Sequence, residues 1–495
     1  MITPAATKYE VVIGIEVHAQ VLTKSKMFCA CSTDYHDSPS NTHVCPVCLG
    51  MPGVLPVINQ QAVESTIMVG LALNCTIPER AKFDRKNYPY PDLMKGYQIS
   101  QYDLPLCKEG WLEIEVDGET KRIGITRVHL EEDTARSMHR ANEAGEGYSL
   151  IDVNRSGMPL MEIVSEPDVR SGVEARLYLI KLQQILRYLG ASRANLDEGD
   201  MRCEPNISLR LVGVEELGSK VELKNINSFR AVEQGIDYEI ERQGKLLDAG
   251  ERVSQETRGW REDEGRTVSQ RSKEFAEDYR YFPEPDLPPL AIDRAYVEEL
   301  RARLPELPDA KRQRFTERYG LSPYEANLLT ATRARADYFE QAVAGEGDDE
   351  RLRARAKTTA NWMLGDFARL LNAASIEIGD AKVAPIDLRS LLELIDEGTV
   401  STTGAKSVFE EMFRSGASPR DVVEQQGLTQ ISASDELAGV IEQVIAKNPK
   451  PVADYHNGKE EAVKFLVGQV MRETRGRANP ALVPDLLRER LANGQ

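Results

Sequence analysis

A chain of 495 residues with 41% apolar and 28% charged residues is too long for one compact core, and length alone predicts roughly two to four domains. A formal net charge of −17 leaves no overall basic footprint, so nucleic-acid binding is not implied by composition and would need a local basic strip. No apolar run is long enough to cross a bilayer, and the first twenty residues lack the basic, apolar and cleavage regions of a signal peptide, so a cytoplasmic protein without membrane contact is expected.

From the N-terminus, Tyr9 to Leu22 alternates. Val11, Ile13, Ile15, Val17 and Val21 point one way, and Glu10, Glu16, His18 and Gln20 the other, which predicts a half-buried strand. Glu16 and His18, two apart, share a face of that strand. Next come Cys29-x-Cys31 and Cys45-Pro-Val-Cys48, two knuckles separated by thirteen residues. Seven cysteines in an intracellular chain do not make a disulfide framework, and this spacing suits a tetrahedral four-thiolate zinc site. Four protein ligands would close the shell, so the expected role is structural. His36 and His43 lie between the knuckles as substitute ligands, and reduced, metal-free thiols are the alternative.

A helix is predicted over Gln60–Ala72 from its 3.6-residue apolar spacing. The tract from Phe83 to Gln101 interleaves tyrosines with Arg85, Lys86 and Lys95, which suits stacking on a base or sugar with cations against phosphate. An irregular proline-rich loop packed by its tyrosines is the plainer expectation. Strands follow at Leu112–Val116, Arg122–Leu130, Leu160–Val164, Met201–Leu211 and Lys220–Leu223, and helices at Val173–Leu189 and Ala231–Gln243. Strands and helices do not alternate in βαβ order, so a mostly antiparallel α+β domain is favoured over a doubly wound one.

Three acids, Glu131, Glu132 and Asp133, end one strand, and Glu162 sits inside an apolar one, where an unpaired carboxylate is costly. Converging with Glu16 and His18, they would make a site for a hard divalent ion such as Mg²⁺. Solvated strand faces plus one buried ion pair are the alternative. Arg155, Arg202, Lys220 and Lys224 are candidate phosphate contacts.

Four prolines among the seven residues Pro283–Pro289 then break the pattern. Beyond them the spacing predicts helices over Ala295–Arg303, Pro308–Tyr319, Pro323–Leu329, Ala334–Val343, Thr358–Leu371, Asp387–Glu397 and Lys406–Arg414, then a tail of shorter ones. The expected domains are 1–290, β-rich with the zinc knuckle; 291–415, helical; and 416–495, a small helical tail. No phosphate-binding P-loop, no G-x-G-x-x-G and no Gly/Ser-rich amidase stretch occurs in the sequence.

Six segments, in order, resemble the GatB family: VIGIEVH from Val12, FDRKNY from Phe83, YQISQ from Tyr97, LMEIVSEPD from Leu160, ELKNINSF from Glu222 and DYRYFPEPDLPP from Asp278. VKFLVGQVM from Val463, with Ala478-Asn-Pro480 after it, resembles that family's YqeY-like C-terminal domain. The resemblance spans essentially the whole chain. It implies a β-rich cradle that uses ATP to activate the side-chain carboxylate of Glu-tRNA(Gln) or Asp-tRNA(Asn), as one component of a carbon–nitrogen ligase. Ammonia would come from a GatA-type amidase subunit, tied on by a GatC-type small subunit, which accounts for the missing amidase signature. By the same resemblance Glu16, His18, Glu131 and Glu162 hold the metal, with Glu132 its uncertain neighbour. The helical parts would hold the tRNA body with cations such as Lys464, Arg472, Arg475 and Arg477. Some family members have replaced the four cysteines, so zinc would serve structure alone. The rival expectations are a non-catalytic, zinc-stabilised tRNA-binding scaffold and a stand-alone metal-dependent hydrolase using Glu16 and His18.

Overall fold

In the computed structural model, which describes residues 8–142, 144–272, 279–345, 348–428, 434–474, 478 and 482–493, the alternating N-terminal segment is the strand Tyr9–Gln20. It lies inside an eight-stranded sheet. From edge to edge the order is Arg266–Ser272, Glu256–Arg261, Val221–Lys224, Met201–Leu211, Tyr9–Gln20, Pro159–Ser165, Glu119–Glu132 and Cys107–Val116. Val221–Lys224 and Glu256–Arg261 run parallel, and every other neighbouring pair is antiparallel.

Ile13, Ile15, Val17 and Ala19 are all but fully buried and form one core with Ala62 and Ile67 of the helix Gln60–Ala72, Leu179 and Leu182 of Gly172–Tyr188, and Val232 and Ile236 of Phe229–Asp248. Each large aliphatic buried there contributes about 1.5–3 kcal/mol. All three helices start on a side-chain cap: Asn59, Ser171 and Ser228 accept from Ala62 N, Glu174 N and Ala231 N. With one face of the sheet covered by helices, the polar residues of Tyr9–Gln20 are free to line the other.

The tyrosine tract is more ordered than an irregular loop. Asp84–Asn87 and Tyr97–Ser100 pair antiparallel, and Phe282–Pro283 adds a third strand in register with Arg85 and Asp84. Asp84 is buried, bonded by Lys82 and by Tyr102 N, and this fixes the start of the hairpin.

Alternation in Glu119–Glu132 is broken once. Ile125 pairs with Ser165 but Arg127 with Val164, leaving Thr126 as the extra residue of a β-bulge. Before the bulge the odd-numbered Ile123 and Ile125 are buried; after it the even-numbered Val128 and Leu130 are. His129 and Glu131 are thereby turned to the face opposite the helices.

The first compact unit runs to Leu307, past the proline-rich segment, because the helix Arg294–Ala302 packs on Gln60–Ala72, with Tyr296 Oη donating to Glu64 at 2.8 Å. The remaining unit, from Pro308, is helical where described. One of its cores runs from Phe315 to Val423 and another from Leu437 to Leu491. Asp348 caps a helix that starts at Asp349, ahead of the expected Thr358, and passes through a π turn at Met363–Phe367 into Ala368–Ala374. Lys464 and Arg472 are exposed, whereas Arg475 and Arg477 lie outside the described residues.

Candidate active site

The register of four strands sets one row of side chains across the open face of the sheet. His18 pairs with Arg202 on one side and with Glu162 on the other, and Glu162 pairs in turn with His129. Glu131 enters from the next position of the bulged strand. His18 Nε2 lies 3.3 Å from Glu162 Oε2 and 3.6 Å from Glu131 Oε1. The three ligating atoms fall within 4.8 Å of one another, a spacing that one ion can bridge. Both carboxylates are buried.

This row is the floor of a cavity of about 900 Å³, near the upper end of small-molecule sites. Its walls carry Lys86, Arg127, Arg202, Lys220 and Lys224, the acids Glu16, Glu204 and Glu222, and Tyr88, Tyr102, Tyr279 and Tyr281. The tyrosines form a continuous aromatic face. Tyr102 stacks on Tyr281 with centroids 4.4 Å apart, and Tyr279 meets Tyr88 and Tyr281 edge-on.

Charge compensation decides the protonation of the floor. Burial opposes ionisation of Glu162, yet His129, His18 and Lys86 together hold it well below the usual carboxylate range. Glu131 is lowered against its burial in the same way, with His129 the strongest opposing partner. Burial would also discharge His18 and Lys86. Glu162 nevertheless lifts His18 to about 9, and Glu131 leads the groups that raise Lys86, which stays a cation. Glu16 differs: burial, then the nearby charges of Glu162 and Glu204, raise it, and its Oε1 accepts from Asn206 Nδ2 at 3.1 Å.

Of the sequence-predicted residues, His18, Glu131 and Glu162 meet at one point. Glu16 lines the same cavity outside that trio. Glu132 faces the other way, where Lys95 and Ile99 N bind its Oε1. Lys86, Arg202 and Lys224 line the cavity; Lys224 bridges Glu204 and Glu222 at 3.0 and 3.2 Å, and Arg202 reaches Asp133 at 3.1 Å. Arg85 and Lys95 are not among the lining residues. Arg85 grips Glu284 through two nitrogens and lies over the Tyr97 ring, while Lys95 sits between Glu132 and the rings of Phe28 and Tyr97. Strand alternation separates Arg85 from Lys86. Arg155 binds the carbonyls of Thr134 and Ala135. Sequence reasoning did not single out His129 or the Tyr279–Tyr281 contribution. His129-x-Glu131 repeats on its strand the two-residue spacing of Glu16-x-His18, and that was the available signal.

Apart from this cavity, the Sγ atoms of Cys29, Cys31, Cys45 and Cys48 also lie within 4.8 Å of one another. Cys45 and Cys48 Sγ are 3.9 Å apart, against about 3.8 Å for a tetrahedron with zinc–sulfur bonds near 2.3 Å. Cys45 N donates to Cys48 Sγ at 3.1 Å, and the Cys29 thiol leads the groups that draw Cys48 down to about 5. His43 and His36 are engaged by Ser38 and Arg193 instead. The four-sulfur set therefore fits zinc. The trio in the cavity suits an ion that keeps open positions for water and phosphate oxygens.

Residues 11–298 match the family profile described as GatB/GatE catalytic domain, and residues 337–491 the one described as GatB domain. The chain is 56% identical over 485 residues to the B subunit of the aspartyl/glutamyl-tRNA(Asn/Gln) amidotransferase of Carboxydothermus hydrogenoformans, covering 98% of this chain and 99% of that protein. It is 56% identical to the protein of the same name from Dehalococcoides mccartyi, covering 99% and 100%, and 55% identical to that of Thermomicrobium roseum, covering 98% and 99%. Among the described residues no helix is long and apolar enough to cross a membrane.

Proposed function

The chain belongs to the GatB family of tRNA-dependent amidotransferase subunits, and from that membership we propose that its sheet cavity phosphorylates the side-chain carboxylate of Glu-tRNA(Gln) or Asp-tRNA(Asn) and then forms the amide. As a member of that family it is part of a glutamine-dependent ligase that makes carbon–nitrogen bonds. The observation that carries the proposal is the His18–Glu131–Glu162 trio on the floor of a cavity walled by Lys86, Arg202, Lys220 and Lys224.

A carboxylate does not react with ammonia, because oxide would have to leave. Transfer of the ATP γ-phosphoryl group to a carboxylate oxygen gives an acyl phosphate and ADP. Ammonia then bonds to the carbonyl carbon, the carbon–oxygen bond to phosphate breaks, and amide and hydrogen phosphate result, the phosphate ending with the proton that the nitrogen loses. Such a transfer needs alignment and charge neutralisation more than covalent catalysis. Mg²⁺ held by His18, Glu131 and Glu162 would supply part of that charge. Lys86, kept protonated by Glu131 and Glu162, is the cation best placed to meet phosphate oxygens over this floor, with Arg202, Lys220 and Lys224 as further partners. The tyrosine face offers a stacking surface for a nucleobase. Glu16, carrying a raised pKa beside the trio, suits a proton acceptor for the incoming amine.

Zinc on the four cysteines would pin the loop from Phe28 to Asn59 and take no part in the chemistry. We assign the division of labour to three parts: the cradle for chemistry, the helical region and the tail for the tRNA body. Ammonia would reach the cavity from a GatA-type amidase held by a GatC-type small protein, in the cytoplasm. Reconstitution with those two partners, misacylated tRNA, ATP and glutamine tests the assignment. Amide formation with release of ADP and phosphate is expected, and Glu162→Gln should abolish it while leaving tRNA bound. Unchanged amidation by that variant would favour the scaffold reading.

A further inference from the structure

His129 belongs to the floor of the cavity but not to the ion-bridging trio, and its surroundings decide why. The residue is 2% exposed. Arg127 Nε donates to His129 Nδ1 at 3.3 Å, and Arg127 Nη2 stands 3.8 Å from Glu162 Oε1. An Nδ1 that accepts from arginine carries no proton, so the N–H of the ring lies on Nε2. His129 Nε2 lies 3.7 Å from Glu131 Oε2 and 3.5 Å from Glu162 Oε2. An N–H there has no lone pair for a metal. His18 is not pinned in this way: its Nδ1 is buried without a hydrogen-bond partner among the described residues, so that nitrogen can keep the ring's proton while Nε2 gives its own up to an ion. Ser100 Oγ also donates to Glu131 Oε2, at 3.0 Å, leaving Oε1 as the oxygen turned to His18.

We propose that His129 is a positioning residue, whose Nε2–H, fixed by Arg127, orients Glu131 and Glu162 so that their remaining lone pairs converge with His18 Nε2 on one divalent ion. The inference rests on the metal reading of this cavity. Two imidazoles at similar distances from the same carboxylates thus have opposite duties, one as ligand and one as donor. Partners of this kind typically change metal affinity about 10–100-fold when removed.

The test is Mn²⁺ binding to the full-length chain without ATP, followed by electron paramagnetic resonance, with thermal unfolding run in parallel. His129→Leu should weaken Mn²⁺ by about 10–100-fold. His129→Gln, whose amide has an acceptor for Arg127 and a donor for the carboxylates, should recover most of the loss. Arg127→Leu, which frees the tautomer while keeping the ring, should weaken binding by a smaller factor. Wild-type affinity in a folded His129→Leu protein would overturn the inference, and so would a His129→Gln variant as weak as His129→Leu. If His129→Leu does not fold, an unchanged affinity in Arg127→Leu overturns it instead. Mn²⁺ binding as tight in Glu162→Gln as in wild type would refute the metal reading itself. Weak binding in Glu162→Gln with full binding in His129→Leu refutes only the role of His129.

Discussion

Glu131 and Glu132 are chemically alike and adjacent, yet one faces His18 across the cavity and the other Lys95 on the far side of its strand. Glu131→Gln should therefore cut divalent-ion affinity and amidation by at least about a hundredfold, the scale on which one strong transition-state contact acts. Glu132→Gln should leave ion affinity within a few-fold and instead lower the unfolding temperature, because Lys95 keeps a buried charge without its partner. Equal effects of the two variants on Mn²⁺ titration would contradict the arrangement. The cysteines make a separate residue-scale prediction. Cys45→Ser or Cys48→Ser should release about one zinc per chain, counted by atomic absorption, and destabilise the cradle without changing the ATP dependence of any remaining activity.

At the scale of elements, the bulge at Thr126 decides which of the two acids faces the cavity. Continuing the alternation of Ile123 and Ile125 would send Glu131 into the core and Glu132 into the cavity; the extra residue reverses this. The shift of the apolar set from Ile123 and Ile125 to Val128 and Leu130 is the local mark of the extra residue, and a segment taken as one unbroken strand leaves the choice between these acids open. The hairpin of Asp84–Asn87 and Tyr97–Ser100 has a similar effect, since its pleat sends Lys86 to the cavity and Arg85 to Glu284, a partner 199 residues away. Among the helices, Pro308–Tyr319 and Arg333–Val343 are joined by Lys311, which binds Asp337 and Glu340 at 2.9 Å each, and by Arg314 to Glu340 at 2.6 Å. Burial would raise Glu340, but Arg314 and Lys311 hold it below its ordinary 4.5. A carboxyl lowered in the fold contributes stability above its unfolded pKa and loses it as pH falls through the folded one. Unfolding followed by circular dichroism should thus show this contribution present above about pH 4.5 and disappearing below it. Lys311→Met should cost about 1 kcal/mol near neutrality and move the loss to higher pH.

For the whole molecule, the cradle has its own core and ends at Leu307, after the helix that packs back on Gln60–Ala72. A chain cut after Leu307 should keep Mn²⁺ affinity while binding tRNA more weakly, with a shallower salt dependence in a filter-binding assay. An unchanged tRNA affinity would remove the helical parts from the tRNA-binding assignment. Periodicity in the sequence located the main strands and most helices to within a few residues, because the apolar spacing that buries one face is a local property. Ordered motifs identified the family, and the cysteine spacing pointed to a metal, because chelation by near neighbours is local too. Only the tertiary structure decided which charged residues share the cavity. His18, His129, Glu131 and Glu162 meet through strand register and one bulge, and Tyr279 and Tyr281 join Tyr88 and Tyr102 from nearly two hundred residues away. The facing of a side chain depends on every residue counted between it and the core, so one extra residue redirects all that follow.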